Sequence, residues 1–372
     1  MFRTAAIVLS CALCCWCRAG DGPVMGTFSM DPVILVTQNL EKPGLEVLSI
    51  RHGNFNYRFA TAESRDAFKA DPARYEIQLG GACARMGALS SCADPDRYTV
   101  HDGKIYIFAS DGCRAGFLKN PPAVLEPLSD PAPTGTPEQM DRGRELFDKC
   151  VNWMGGPARL DAVTTIEYRE EMRVEDRGEK HLSIETTTLL LPDTIRTDYR
   201  WDSSSWTKTL TPGDAFFIES GRARSMHPQQ RTIFERQMAR QVLVIFRSRT
   251  RPDFIACHLG PARENKGELV AVHFDSTTTE LIIEPDSGYL LGVRHLDWGP
   301  KGTLGMAERR FTAFADIDGL RIPNSWQAWF ENARAESLDE ALINCTINPE
   351  LPADFFTRDG KPITPISVRP GE

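Results

Sequence analysis

The chain has 372 residues, 41% of them hydrophobic and 25% charged, which is the composition of globular domains rather than of a disordered polymer. That length suits two or three domains. A formal net charge of −8 and an isoelectric point near 5.5 exclude nucleic-acid phosphate as the main partner, because such binding needs clustered Lys and Arg.

Residues 1–19 read as an export signal. Arg3 gives a positive start, and residues 5–16 are apolar but shorter than the ~20 residues of a spanning helix. Cys17-Arg18-Ala19 puts small residues where a signal peptidase reads, so cleavage is expected after Ala19. The alternatives are an uncleaved short anchor, or a lipobox at Val8-Leu9-Ser10-Cys11 that would lipidate Cys11, although Leu9 is large for that pattern. No later segment is long and apolar enough to cross a bilayer, so the expected location is the periplasm or cell envelope, with no transmembrane segment in the mature chain. Cys83, Cys92, Cys113, Cys150, Cys257 and Cys345 follow the signal. Export implies oxidising conditions. Cys83 and Cys92, close in sequence, are the expected disulfide, although six cysteines allow fifteen full pairings.

An internal repeat follows, with an offset of 49 residues. His52 matches His101, Tyr57 matches Tyr106, Phe59 matches Phe108, Ala60 matches Ala109, Phe68 matches Phe117 and Pro72 matches Pro121. A fixed period signals repeated supersecondary units. In each unit an alternating strand (residues 54–59 and 103–108) meets a Thr61 or Ser110 N-cap. Short helices at 62–70 and 111–119 follow, ended by Asp71-Pro72 and Asn120-Pro121. The Tyr-x-Phe rings are expected in the core.

Residues 121–137 hold six prolines and read as an extended spacer, placed as a linker over 126–137. Thr136-Pro137-Glu138-Gln139 is a capping box that starts a helix over 137–154. Its apolar face carries Met140, Phe147, Cys150, Val151 and Met154, and Cys150 is expected there as a buried small hydrophobe. Beyond Asp161 the pattern alternates as strands: Ile166 and Tyr168, Leu182 and Ile184, Ile195 and Tyr199, Val270 and Val272, Leu281 and Ile283. Asp286-Ser287-Gly288 turns a hairpin. A helix over 231–247 interrupts this run, with Phe234, Met238, Val242 and Ile245 on one face. An antiparallel sheet with one apolar face needs covers. The two helices leave room either for an apolar cavity walled by Phe234, Met238, Val242 and Ile245 or for a filled core.

The repeat units resemble the YHS family. Met30-Asp31-Pro32-Val33 opens the first unit, and Asp71-Pro72-Ala73-Arg74-Tyr75 closes it. Ile34, Ala60 and Ser64 stand where the family carries cysteines; in the second unit Ala109 replaces one and Cys113 survives. The resemblance implies metal handling, and a soft metal needs two or more thiolates together. The first unit has none at those positions. A transition-metal site is therefore an alternative only through Cys113 with Cys83, Cys92, His52 or His101, and no cofactor is otherwise expected. Residues 138–360 are similar in layout to the LolA-like periplasmic lipoprotein carriers: a helix ending in Gly155-Gly156, a long antiparallel run, and a close at residues 347–356. That likeness implies an incomplete barrel with helical lids that binds a lipid or lipoprotein acyl chain.

The expected fold is α+β. Two YHS-like hairpin-and-helix modules span 20–78 and 79–125, a curved antiparallel sheet spans 138–360, and a tail covers 361–372. No enzyme is indicated, since HExxH, GxSxG and Walker patterns are absent. Ser205-Trp206-Thr207-Lys208 fits a bare S-x-x-K by chance, Asn344-Cys345-Thr346 is an equally weak acceptor pattern, and Glu170-Glu171 reads as a solvated face. The function classes left open are an envelope lipid-binding protein with the repeat pair as accessory or docking module, a metal-binding envelope protein, and a module that binds an unidentified protein partner.

Overall fold

The computed structural model describes residues 24–119, 121, 129–176, 179–201, 204–219, 221–263, 266–298, 304–334 and 341–361. The expected export signal with Cys11, most of residues 120–128, and tail residues 362–372 lie outside the described residues.

The first repeat unit opens with β1 (Gly26–Phe28) and α1 (Pro32–Gln38). Alternation alone does not reveal α1, whose β-branched apolar run resembles a strand. Its cap decides: Asp31 Oδ1 accepts from the amides of Val33 and Ile34, both at 3.0 Å, with Pro32 at the first helical position. Asp31 Oδ2 accepts from Ala60 N at 2.7 Å, tying the helix to the hairpin of β2 (Leu45–His52) and β3 (Phe55–Phe59). The sheet order is β1-β3-β2, with β1 parallel to β3. Helices α2 (Ala62–Ala70) and α3 (Pro72–Tyr75) follow, and the Thr61 hydroxyl caps α2. The second unit has β4 (Asp94–His101), β5 (Lys104–Phe108) and α4 (Asp111–Lys119).

Ring contacts recur in both units. His52 and Phe68 meet edge to face at 5.5 Å, as His101 and Phe117 do at 5.6 Å. Tyr57–Phe68 and Tyr106–Phe117 share an interplanar angle of 38°. Phe59–Phe68 and Phe108–Phe117 lie at 5.2 and 5.3 Å. All these rings but the two histidines are buried, and both units share one core. Each buried Phe contributes about 1.5–3 kcal/mol.

The second part begins with α5 (Pro137–Trp153), whose capping box forms between Thr136 and Gln139, and α6 (Pro157–Ala162). Six strands follow: β6 (Thr165–Asp176), β7 (Glu179–Leu190), β8 (Thr194–Trp201), β9 (Ser204–Leu210), β10 (Ala215–Glu219) and β11 (Arg222–Ser225). Two helices, α7 (Pro228–Ala239) and α8 (Val242–Arg247), lead into β12 (Ile255–Pro261), β13 (Glu268–Phe274), β14 (Thr277–Ile283) and β15 (Leu290–Trp298). Then come β16 (Leu304–Ile317), β17 (Leu320–Phe330), β18 (Ala333–Arg334) and β19 (Ala341–Ile347).

These strands form one antiparallel sheet in the order β11-β10-β9-β8-β7-β6-β19-β17-β16-β15-β14-β13-β12. Its two edge strands, β11 and β12, are neighbours in the chain and do not pair, so the sheet stays unclosed. The chain between those edges is α7 and α8.

Two expectations change here. The helix expected over 231–247 is broken: Gln241 is extended (φ −67°, ψ 132°), separating α7 from α8. Residues 242–246 are a continuous apolar run, which one amphipathic helix could bury on only one side. After the turn, Leu243, Val244, Ile245 and Phe246 are all buried. Nor is the proline-rich segment a free spacer throughout. Asp130 donates its amide to Ser276 O at 2.9 Å and accepts from Thr278 N at 3.0 Å. Its carboxylate also takes the Arg236 guanidinium, with Arg240 at 3.5 Å. Prolines restrict the backbone without preventing a side chain from docking.

The repeat units sit against the start of α7. Gln230 Nε2 donates to Ala88 O at 2.7 Å, and Leu79 N donates to Gln229 Oε1 at 3.3 Å. Gly80 permits this approach: it has φ +57°, and a Cβ there would lie 2.7 Å from His227 Cβ.

Candidate functional site

Alternation along β6 sends Ile166, Tyr168 and Glu170 to one face of the sheet. Register carries that face across to Leu189, Thr187 and Glu185 on β7. On β8 and β9 it continues through Ile195, Thr197 and Tyr199, then Leu210, Lys208 and Trp206. This face is graded. At one end Ile166, Leu189, Ile195 and Leu210 join a buried core with residues of α5 and α8, among them Phe147, Cys150, Ile245 and Phe246. At the other end the face is polar.

Two cavities flank the helix pair. The larger has a volume of about 780 Å³ and lies among the β7–β8, β9–β10 and β13–β14 turns, α7 and α8. Leu191, Leu210, Met238, Ala239, Val244 and Phe274 give it apolar walls. Its arginines are held by carboxylates, Arg231 by Glu235 at 2.9 Å and Arg251 by Asp253 at 3.0 Å and by Asp275, while Asp193 accepts from the Thr194 hydroxyl at 3.2 Å. Arg247 donates to the carbonyls of Leu160 and Asp161.

The smaller cavity, about 240 Å³, is lined by Glu170, Glu185, Lys208, Arg240, His295 and Arg309, among others. Burial pushes the Glu170 carboxyl up to about 7; nearby Arg309 opposes this and Glu185 adds to it. The His295 imidazole is pushed down by burial, against the pull of Asp297 at 3.2 Å. Lys208 Nζ stands 5.4 Å over the Phe234 ring.

The expected cavity residues separate. Met238 lines the larger cavity and Val242 the smaller, whereas Phe234 and Ile245 are in the packed core. The apolar end of the sheet face is packed except where Leu210 also walls the larger cavity, and the hollow beneath the helix break is polar. Glu170, read as solvated, faces that hollow instead. Its parity with Ile166 and Tyr168 is the sequence signal for the inward direction.

The cysteines also differ from expectation. Cys83 and Cys92 are both free thiols rather than a disulfide. Cys92 bridges to Ala82 in antiparallel register, so it shares a side with Ala82 while Cys83, one residue on, points the other way. The neighbour of Cys83 is Cys113, with which it makes side-chain contact, and Cys83 Sγ accepts from Ala109 N at 3.3 Å. Cys92 lies instead near Arg224 and Glu219, so the three thiols Cys83, Cys92 and Cys113 do not converge. Among the described residues no group of three or more His, Cys, Asp and Glu is arranged to hold a metal ion. Cys150 is fully buried on the face of α5, and burial alone pushes its thiol far up. Among the described residues no helix is long and apolar enough to cross a membrane.

No protein-family model matches the chain, and no curated protein matches it. Solved structures do. A DUF1329 family protein from Desulfovibrio piger is similar over 58% of this chain and 97% of its own, with 9% identity and a TM-score of 0.37. A LolA superfamily protein from Nitrosomonas europaea is similar over 58% of this chain and 98% of its own, with 10% identity and a TM-score of 0.38. A putative outer membrane lipoprotein-sorting protein domain from Vibrio parahaemolyticus is similar over 60% of this chain and 97% of its own, with 9% identity and a TM-score of 0.33.

Proposed function

We propose that the sheet domain binds the apolar chain of a lipid or similar amphiphile in the larger cavity, in an exported protein of the cell envelope. The repeat units serve as an accessory or docking module seated on α7. The observation that carries this reading is the 780 Å³ volume walled by Leu191, Leu210, Met238, Ala239, Val244 and Phe274. Pockets of roughly 300–1,000 Å³ with mostly apolar walls suit small hydrophobic ligands. Because the arginines around it are held by carboxylates or carbonyls, an uncharged chain fits better than an anion. Residues 1–19, with their short apolar stretch, support export.

The test is titration of the full mature chain with a fluorescent long-chain fatty acid, alongside native mass spectrometry of the purified protein. Saturable binding of one probe per chain, displaced by the unlabelled acid and lost in Ala239→Trp, is expected. Absence of saturable binding to the wild-type chain sinks the proposal.

A further inference from the structure

Glu170 and Glu185 stand directly opposite each other across β6 and β7, facing the smaller cavity. Like charges placed so destabilise a sheet. The Arg309 guanidinium approaches Glu170 at 3.6 Å, and Lys208 and Arg240 line the same cavity. Arg309 is paired with Glu170 and Arg240 with Asp130, and an apolar occupant would still take these pairs, with Glu185 and Lys208, out of water. A simple anion would meet Glu170 and Glu185, and a simple cation would meet Lys208, Arg240 and Arg309. A molecule that carries both charges answers both walls. The cavity volume of 240 Å³ corresponds to about eight waters at ~30 Å³ each, room for a compact polar molecule.

We propose that this cavity is a second binding site, for a small zwitterion whose ammonium faces Glu170 and Glu185 and whose oxyanion faces Lys208, Arg240 and Arg309. Such a group could be free in solution or be the headgroup of a lipid. The lipid source rests on the function proposed above, since Met238 and Ala239 line the larger cavity while Gln237 and Arg240 line the smaller one. The free source is independent of it.

Calorimetric titration of the full mature chain with glycerophosphoethanolamine tests the site. Glycerol 3-phosphate supplies the oxyanion alone and ethanolamine the ammonium alone. The zwitterion is expected to bind one per chain and about tenfold more tightly than either half, the effect of one additional charge-assisted hydrogen bond. Glu170→Gln, a near-isosteric change that relieves repulsion, and Lys208→Met should each weaken the zwitterion by a similar factor. Equal binding of glycerol 3-phosphate, no binding of glycerophosphoethanolamine, or unchanged affinity in both variants overturns the site. Lysophosphatidylethanolamine separates the sources: affinity well above that of glycerophosphoethanolamine assigns a lipid headgroup, and equal affinity assigns a free zwitterion. If the fatty-acid probe fails to bind while glycerophosphoethanolamine binds, the lipid reading falls and the polar site stands.

Discussion

Glu76 meets His227 across the junction of the two parts of the chain, with Oε1 3.0 Å from Nε2. Its other oxygen lies 2.9 Å from His52 of the first repeat unit. His227 is also the N-cap of α7, so one carboxylate links a repeat-unit histidine to the helix pair beside both cavities. Burial pushes the Glu76 carboxyl up, but hydrogen bonds from His227 and His52 and their charge outweigh it, holding it at about 2 against an ordinary 4.5. A carboxyl whose folded value is depressed stabilises the fold above its unfolded value, and that stability is lost as pH falls through the folded one. Glu76→Gln should therefore cost on the order of 2–3 kcal/mol at pH 7. Urea denaturation at stepped pH should show the gap between variant and wild type closing from pH 4.5 towards pH 2. A gap independent of pH would contradict this role.

Asp130 offers a harsher test of the docked linker. Arg236 and Arg240 are only 2% and 4% exposed, and both reach its carboxylate. Removing one partner of a buried pair leaves an uncompensated charge, typically at a cost of 3–5 kcal/mol. Asp130→Ala should lower stability by about that much and make the linker more sensitive to limited proteolysis. A variant within ~0.5 kcal/mol of wild type, the usual effect of a surface change, would show that the segment is only a spacer.

Local signals are legible in the amino-acid sequence, and non-local ones are not. Thr136 and Gln139 cap α5 within four residues of sequence, and Tyr57 and Phe59 alternate within one strand, so their roles follow from adjacency. The disposition of Cys83 depends on which residue faces Cys92 across a bridge, and cysteine spacing carries no such information. Glu170 becomes a cavity residue because β15 and β16, more than 100 residues away in sequence, bring His295 and Arg309 to it. Its inward direction is legible in β6, but the polar character of the space it enters is not. The break at Gln241 has a signal in the unbroken apolar run after it, which no single helix face accommodates.

Glu170 should reverse the usual acid dependence. Burial lifts its carboxyl to about 7 from an ordinary 4.5, so between those values the folded chain holds a proton that the unfolded chain has released. Stability then falls as pH rises through that window. Glu170→Gln, which cannot ionise, should be more stable than wild type at pH 8, with the advantage disappearing below pH 4.5. Thermal melts across the range decide it: an advantage that grows on acidification would mean the carboxyl is ionised and stabilising at neutral pH.

The far face of the sheet is fastened by Arg196, which points oppositely to its neighbour Ile195 along β8. Arg196 is 1% exposed, and its Nε and Nη2 donate to Asp198 at 2.8 and 2.9 Å. Its Nη1 donates to the carbonyls of Phe355 and Gly360 at 2.6 and 3.0 Å, so one guanidinium holds the closing segment after β19 onto the sheet. Asp198 also accepts from the Thr207 hydroxyl at 2.6 Å. Arg196→Met should cost about 3–5 kcal/mol, because the Asp198 carboxylate stays buried without its cation. It should also release residues 351–361 to protease at pH 7. Replacing the pair together, Arg196→Met with Asp198→Leu, removes the stranded charge and should recover part of the loss. The protease sensitivity should persist in the double variant, because the carbonyls of Phe355 and Gly360 still lack their donor. Full protection of that segment in the double variant would show that packing of Phe355 alone, and not the guanidinium, holds it in place.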